Sequence, residues 1–472
     1  HITETEAGYN GPFWFARAGS NWNSVCAGGA GMLALAMREE ADEAEAVLAR
    51  SEYSMQPFMR TLREMDGGWG EGIGYWNYGM RYAFMYLLSH ENATGKKHPL
   101  MRQRVTRQTL DFPLDFTPQG HGCSFGDVNR WKPLPFHFAA ADRFGARDVL
   151  DRLDAQPSRV TGGEPWPDAA ELLMLHPRQT PAARDPEASR ARGPWRRHYR
   201  GLDWGALADR DKSPNLCVTV RGGTTNVPHS HRDLLSFHAV VGRGERAENL
   251  IANEVPAEYL DTTFSQRRQE LFEISPASKN TLLINGVGVT SDATVRTRKL
   301  DPPGATGFRF DATDAMGHGR DRPLARFAGR AILMLDEGAL LVVDRLALHF
   351  AGRGEARFFS PGEATLQKNT ATLRGQHQQM RLAFDAAVTA GLHHAISAPT
   401  TPSAEPKSIL RWCSRKLNKE ITFATLLHPG RGRVAVQLEE TDTRLNIHVT
   451  TPAGERTLTL TRKLAAVSGN SR

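Results

Sequence analysis

The 472-residue chain carries 59 Lys and Arg against 52 Asp and Glu, a formal charge of +7, with 40% apolar and 24% charged residues. This is the composition of a soluble globular protein, and the length exceeds what one hydrophobic core usually serves, so two domains are expected. The basic residues are spread along the chain with no nucleic-acid-binding module, and no apolar run reaches the roughly eighteen residues of a membrane span. A moderate excess of Arg serves solubility or steers an acidic polysaccharide into a cleft. The chain begins with His1 rather than Met, so a leader or a longer N-terminal part is expected to have been removed. Cys26, Cys123, Cys217 and Cys413 lie far apart with no CxxC pair, which fits buried free thiols better than a zinc knuckle or a disulfide scaffold.

Helical patterning comes first. The run from Val25 to Arg38 is rich in Ala, Gly, Leu and Met, and Glu40–Arg50 places Ala44, Val47 and Leu48 on one helical face. Tyr53–Met65, Tyr82–Leu88 and Phe136–Leu150 are further helical segments, separated by breakers such as Asp66-Gly67-Gly68 and Pro118-Gln119-Gly120. An Arg-, Ala- and Pro-rich stretch over 178–192 reads as a linker, which puts a helical domain at 1–191 and a second domain at 192–472. In the second domain short β-type runs dominate: Leu216-Cys217-Val218-Thr219-Val220, Ala331-Ile332-Leu333-Met334-Leu335 and Thr457-Leu458-Thr459-Leu460 are examples. Helices first and strands afterwards indicate an α+β, multidomain chain, with no alternating βαβ pattern.

Three clusters hold polar and aromatic residues that an ordinary core does not require. Ser20-Asn21-Trp22-Asn23 precedes the first helix, where an N-cap is the plain structural alternative. Gly67-Gly68-Trp69-Gly70-Glu71-Gly72-Ile73-Gly74-Tyr75-Trp76-Asn77-Tyr78 combines glycines that let a ligand approach the backbone with aromatic faces that stack on sugars; a tight turn with buried aromatics is the alternative. In the third, Arg221-Gly222-Gly223 is followed by His229-Ser230-His231-Arg232-Asp233. An extended His-Ser-His would put both imidazoles on one side of a strand, as acid/base groups or metal ligands.

The run from Val220 through His229-Ser230-His231-Arg232-Asp233-Leu234-Leu235-Ser236-Phe237, continued by Ile251-Ala252-Asn253, Tyr259 and Asn280-Thr281-Leu282-Leu283-Ile284-Asn285-Gly286, resembles the hallmark segment of heparinase II/III-like polysaccharide lyases. The Asn-Trp-Asn and Trp-Gly-Glu-Gly-x-Gly-Tyr-Trp-Asn-Tyr-Gly clusters resemble the helical domain of the same family. The resemblance implies an N-terminal (α/α) toroid, complete or incomplete, followed by an antiparallel β-sandwich domain, in a secreted or periplasmic enzyme. It implies a lyase that cleaves an acidic, uronate-containing polysaccharide by β-elimination, with no nucleic-acid partner. The C5 proton of a uronate is only weakly acidic, so the reaction needs a carboxylate neutraliser, a base for C5 and an acid for the leaving O4. On this resemblance Asn21 is the neutraliser, with Asn23 second. Tyr75 or Tyr78, with Tyr78 favoured, and His229 are the proton-transfer groups, with Arg81 and other cations lowering the tyrosine pKa. Trp22, Asn23, Glu71, Trp76, Arg81, Arg221 and Arg232 are the expected substrate-binding residues.

The family's metal positions fall on His231, Asn253 and Lys279. Asn is a poor zinc ligand and a protonated Lys is none, so no cofactor is expected, and Lys279 is expected to supply the positive charge by bridging His231 and Asn253. Glu254 is the substitute ligand if the register differs by one. A non-catalytic acidic-glycan-binding protein is the first alternative. A glycoside hydrolase is the second; it needs two positioned carboxylates, for which Glu71, Asp115 and Asp127 are available.

Overall fold

A computed structural model describes residues 20–157, 194–209, 212, 215–317 and 324–467. The expected linker over 178–192 lies outside these residues. The molecule divides into two units, one formed by residues 20–122 and 128–157, the other by Cys123–Asp127 and the residues from 194 onward. Five residues inside the helical part of the sequence therefore belong to the second unit. Among the described residues no helix is long and apolar enough to cross a membrane.

Among the described residues seven α-helices build the first unit: α1 (Asn21–Ala36), α2 (Ala44–Glu64), α3 (Ile73–Thr94), α4 (Arg104–Gln108), α5 (Phe112–Asp115), α6 (Pro135–Arg143) and α7 (Arg147–Asp154). Ser20 caps α1, its hydroxyl accepting the Trp22 N–H at 3.2 Å, which satisfies one of the donors a helix start leaves open. Small residues then let α1 lie tightly on α3: a Cβ on Gly28 would fall 2.7 Å from the Tyr82 carbonyl, and one on Gly31 would strike the Tyr86 ring. In α2 the buried residues Ser51, Met55, Phe58, Met59 and Leu62 recur at helical spacing. The two segments expected around Glu40–Met65 are thus one helix. Helix α3 ends at Gly95, whose φ of 68° is the left-handed stop that glycine adopts without a Cβ penalty. The segment expected as Phe136–Leu150 is two helices, broken at Gly145 (φ 62°).

The second unit contains only strands and short 3₁₀ turns among its described residues. Five strands, Pro194–Tyr199, Trp204–Asp209, Leu216–Arg221, Phe237–Val241 and Glu248–Ile251, form an antiparallel meander. A nine-stranded sheet has the long strands Ala325–Leu335, Leu340–Gly352 and Asn418–Pro429 at its middle, and four- and three-stranded sheets complete the unit. Every strand pairing in the three larger sheets and the small one is antiparallel, as in Ile332↔Val342 and Val343↔Ala424.

The middle of the nine-stranded sheet is buried on both faces. Ile332, Met334, Leu340 and Val342 point into one core with Val218 and Val220 of the meander and Phe358 and Trp412 of the four-stranded sheet. Their neighbours Leu333, Leu335, Leu341 and Val343 point the other way, onto Ile447, Val449 and Leu458 of the three-stranded sheet. Two-sided burial explains why Ala331–Leu335 is apolar without alternation: both sets of alternate side chains leave water.

One ion pair lies inside this packing. Arg330 and Asp344 face each other across the central hairpin and make two bonds, Nε–Oδ1 at 2.6 Å and Nη2–Oδ2 at 2.9 Å, both side chains fully buried. The remaining guanidinium nitrogen, Nη1, donates to the carbonyls of Leu235 (3.0 Å) and Asn280 (2.6 Å), tying two loops to the sheet. Asp344→Ala leaves a buried guanidinium without its counter-charge, and an unfolding free energy lower by about 3–5 kcal/mol is expected. Denaturant titration followed by tryptophan fluorescence measures it; a change within experimental scatter would show that the pair does not hold the sandwich.

Candidate functional site

The second unit gathers its titratable groups around one carboxylate. Asp127, carried in by the Cys123–Asp127 segment, is held there by Thr219 Oγ1 donating to the Cys123 carbonyl at 2.6 Å and by Phe125 packing edge-on against Trp204 and His238. Its side chain is fully buried. Oδ2 accepts from His229 Nδ1 at 3.0 Å, Oδ1 from His231 Nε2 at 2.9 Å, and Arg268 donates to both oxygens, at 3.0 and 2.5 Å. Burial alone would raise the carboxyl pKa, but the donors from His229, His231 and Arg268 outweigh it and hold Asp127 ionised well below the usual carboxylate range.

The two histidines converge for a different reason from the one expected. The segment is a loop, not a strand, and His229 has φ 59°, in the left-handed region that non-glycine residues seldom occupy. The Asp127 N–H donates to the His229 carbonyl at 3.2 Å, so one residue fixes both backbone and ring of the turn. With Nδ1–H directed at a carboxylate, Nε2 is the basic nitrogen of His229. The side chain is 22% exposed. The ring meets Phe264 edge-on at 6.0 Å, and Phe264, 66% exposed, packs against the half-exposed Tyr259 at 4.9 Å.

His231 lies deeper. Its Nε2–H serves Asp127, and Nδ1 accepts from Lys279 Nζ at 3.0 Å. Lys279 is fully buried and also donates to the carbonyls of Glu254 and Glu273, both at 2.5 Å. An ammonium has three N–H donors, and three acceptors meet them here. The expected bond from Lys279 to Asn253 is not made. Asn253 instead donates to Ser236 Oγ at 3.0 Å and accepts the Asn280 N–H at 2.8 Å. The Glu254 carboxylate turns away to Ser397 and Lys407, at 2.5 Å each.

This donor set does not fit a zinc ion. Both nitrogens of His231 are engaged, the Asn253 amide bonds the Ser236 hydroxyl and the Asn280 N–H, and Lys279 Nζ takes the His231 Nδ1 lone pair that a metal would need. The register in which Glu254 would serve as a ligand is not the one the structure adopts.

Several expected substrate contacts are structural. Arg221, 1% exposed, lies over the rings of Trp204 and Phe125, pairs with Asp233 at 2.5 Å and donates to Ser230 Oγ at 2.6 Å, bracing the loop that carries both histidines. Arg232 is half-buried and donates to the Gln269 carbonyl at 3.3 Å.

In the helical unit Asn21 and Asn23 are buried in the first turn of α1, and Trp22 between them is exposed. The Gly-rich cluster is a turn only as far as Gly72; from Ile73 it is α3, because the chain turns at Gly67 (φ 84°) and Gly72 (φ 93°) and then meets no further breaker. Trp76 and Glu71 are buried, Trp76 donating to Thr109 Oγ1 at 2.7 Å, so for Trp76 the core reading holds over the sugar-stacking one. Tyr75 is half-buried, whereas Tyr78 is 37% exposed and edge-on to Trp22 at 5.9 Å. Burial and the neighbouring Tyr82 and Cys26 raise the Tyr78 pKa; Arg81 opposes them, as expected three residues on along a helix, but does not prevail.

Asp127 entered the sequence reading only as a hydrolase carboxylate, and Arg268 and Phe264 were missed. Asp127 stands 102 positions from His229, 141 from Arg268 and 137 from Phe264, so no local spacing connects it to them, and a Gly-Asp step after Ser124-Phe125 is the one available signal.

Burial also keeps the site's inner histidines neutral. It lowers the His231 pKa to about 4, with Lys279 adding to it, and the His238 pKa to about 3. The unfolded chain binds protons near pH 6.5 and the folded chain does not, so stability should fall as pH drops from about 6.5 towards 4. Burial lowers Lys279 to about 7, and its linkage falls between there and the unfolded lysine value, outside the acid window. Unfolding midpoints from pH 8 to 4 test this, and a flat acid limb would mean that these rings are charged in the native state.

No family model matches the sequence, and no curated protein matches it. Solved structures do. A crystal structure of heparinase III superposes with a TM-score of 0.70 at 12% identity, covering 94% of this chain and 68% of that one. A second heparinase III gives 0.67 at 12%, covering 98% and 68%. A mutant of the heparan sulfate lyase HepC from Pedobacter heparinus gives 0.67 at 10%, covering 90% and 64%. The chain thus spans about two thirds of the length of these proteins. At such identities the likeness establishes architecture, and the chain has the heparinase III fold: an N-terminal (α/α) toroid unit followed by an antiparallel β-sandwich unit.

Proposed function

We propose that the chain is a polysaccharide lyase that cleaves an acidic, uronate-containing glycan by β-elimination, acting in the periplasm or outside the cell. The observation that carries this reading is the pairing of His229 with Asp127. A buried carboxylate that accepts Nδ1–H orients the imidazole and presents Nε2 as a proton acceptor, the arrangement general base catalysis requires. Exposed aromatic rings beside that histidine, Phe264 and Tyr259, suit the apolar face of a sugar.

In the reaction the C5–H bond breaks as a base takes the proton, the C4–O4 bond breaks as an acid protonates O4, and a C4–C5 double bond forms. His229 is one of these proton-transfer groups. Tyr78, with its exposed phenol on α3, is our candidate for the other, ahead of the half-buried Tyr75. Asn21 is retained as the candidate carboxylate neutraliser on the resemblance alone.

The hydrolase reading finds no support in the carboxylates available to it. Asp127 is buried beneath two histidines and an arginine, Asp115 is buried against Arg152 Nη2 at 2.6 Å, and Glu71 is buried as well. No observation favours a purely glycan-binding role over the lyase.

We further propose that the enzyme works without a resident metal, Lys279 holding the position by charge and hydrogen bonds and keeping His231 and Asp127 in line for His229.

His229→Ala and Tyr78→Phe should each lower turnover by about a hundredfold or more. Asp127→Asn should do at least as much harm by releasing the imidazole tautomer. Turnover is read as ultraviolet absorbance of new conjugated uronate ends across a panel of acidic polysaccharides; near-normal rates in His229→Ala would remove the assignment. Protein purified without added ions should contain no stoichiometric transition metal, and chelator should leave its rate unchanged. A metal lost together with activity would overturn the lysine reading.

A further inference from the structure

A cavity in the β-sandwich unit has no part in the chemistry above. It has a volume of about 690 Å³, and its lining includes Asn215, Arg243, Arg246, Arg374, His377 and Arg431. It lies at the far end of the meander from His229. Strands Leu216–Arg221 and Phe237–Val241 pair with Leu216 opposite Val241 and Val220 opposite Phe237. Arg221 and Ser236 mark the histidine end, while Asn215 and Gly242 mark the cavity end, roughly 20 Å away along the strands.

The cavity is built rather than left over between loops. The turn that follows Arg374 is clamped by Glu248, whose Oε1 accepts the N–H groups of Gln376 (2.7 Å) and His377 (3.0 Å) and whose Oε2 accepts that of Gln378 (2.7 Å). The Gln378 side chain donates to the Arg246 carbonyl at 2.8 Å, and that of Gln379 donates to the Gly430 carbonyl at 3.1 Å, joining the three loops that form the walls. The Glu248 carboxylate is thereby committed to backbone, and the lining itself contains no acidic residue, so the guanidinium groups of Arg246, Arg374 and Arg431 set the sign of the field. Asn215 belongs to the lining, and its Oδ1 is buried with no hydrogen-bond partner among the described residues.

We infer that this cavity is an anchoring site for an anionic saccharide segment, separate from the His229 site. Guanidinium groups make paired, charge-assisted bonds to sulfate and carboxylate oxygens, and the amides of Gln376, Gln378 and Asn215 suit sugar hydroxyls. The volume is that of a small-ligand pocket, and the lining has no Phe, Tyr or Trp ring for a nucleobase to stack on. The assignment shares the acidic glycan with the proposed function but does not depend on elimination chemistry. A chain anchored here would be retained by the protein between catalytic encounters.

The probe is a sulfated, uronate-containing hexasaccharide derived from heparin, followed by hydrogen exchange at about 0.15 M salt. It should protect backbone amides over 242–246 and 374–379. In the double variant Arg246→Ala/Arg374→Ala, the concentration needed for that protection should rise about tenfold or more, with the melting temperature unchanged because both side chains are exposed. No protection in those segments, or protection undiminished in the variant, would overturn the inference. So would equal protection by inorganic sulfate at the same concentration, which would make this a free-anion site. Arginine-dependent protection without any unsaturated product would leave the anchoring site standing and remove the lyase reading instead.

Discussion

The arrangement of the β-sandwich unit turns on the buried Asp127 carboxylate. An ionised carboxylate without water is a costly group, and three side chains from distant parts of the sequence meet the cost by donating to it. Each bond fixes something else. The one from His229 selects its tautomer, and the one from His231 aligns that ring with Lys279. Those from Arg268 bring the 3₁₀ segment Gln266–Glu270 against the histidine loop, where Arg268 also reaches the Ser230 carbonyl at 3.1 Å. Removing the side chain would release all three at once, because each donor would then lack its acceptor.

The loops that carry these groups are rigid because the sheets beneath them are. Burial on both faces leaves the middle of the nine-stranded sheet no freedom to slip, since a shift of one residue would exchange its two cores. Arg330 extends that rigidity outward through the Leu235 and Asn280 carbonyls. Asn280 carries it further, its side chain bonding the Phe237 carbonyl and the Phe359 N–H at 2.8 and 2.6 Å. The histidine loop and the lysine segment are thereby held from below by one hydrogen-bonded chain, with the His229 ring at its outer end.

A lysine in the middle of such a site solves a charge problem in a particular way. A divalent ion would draw anionic ligands around itself, whereas a single ammonium is satisfied by one imidazole and two backbone carbonyls. The neighbouring carboxylates are then free to serve the framework: Glu273 accepts from Thr401, and Glu254 pairs with Lys407.

Much of the architecture is legible in the sequence because it depends on short-range chemistry. Helical periodicity, turn residues and β-type runs come from local sterics and from which face meets water, and they separate a helical part from a strand-rich part without any knowledge of contacts. The close spacing of His229 and His231 and the presence of a lysine at 279 are visible for the same reason: they are residue identities. What those residues touch is not. His229 and His231 converge through a left-handed turn and a carboxylate more than a hundred positions away. Arg221, Trp76 and Glu71 carry the residue types of a binding surface yet lie inside the protein. The sequence by itself determined the classes of structure and the chemical inventory, since those follow from composition and spacing. Which polar groups are buried, and which carboxylate they share, only the tertiary structure decided, because the desolvation that makes such a group functional arises when distant segments close over it.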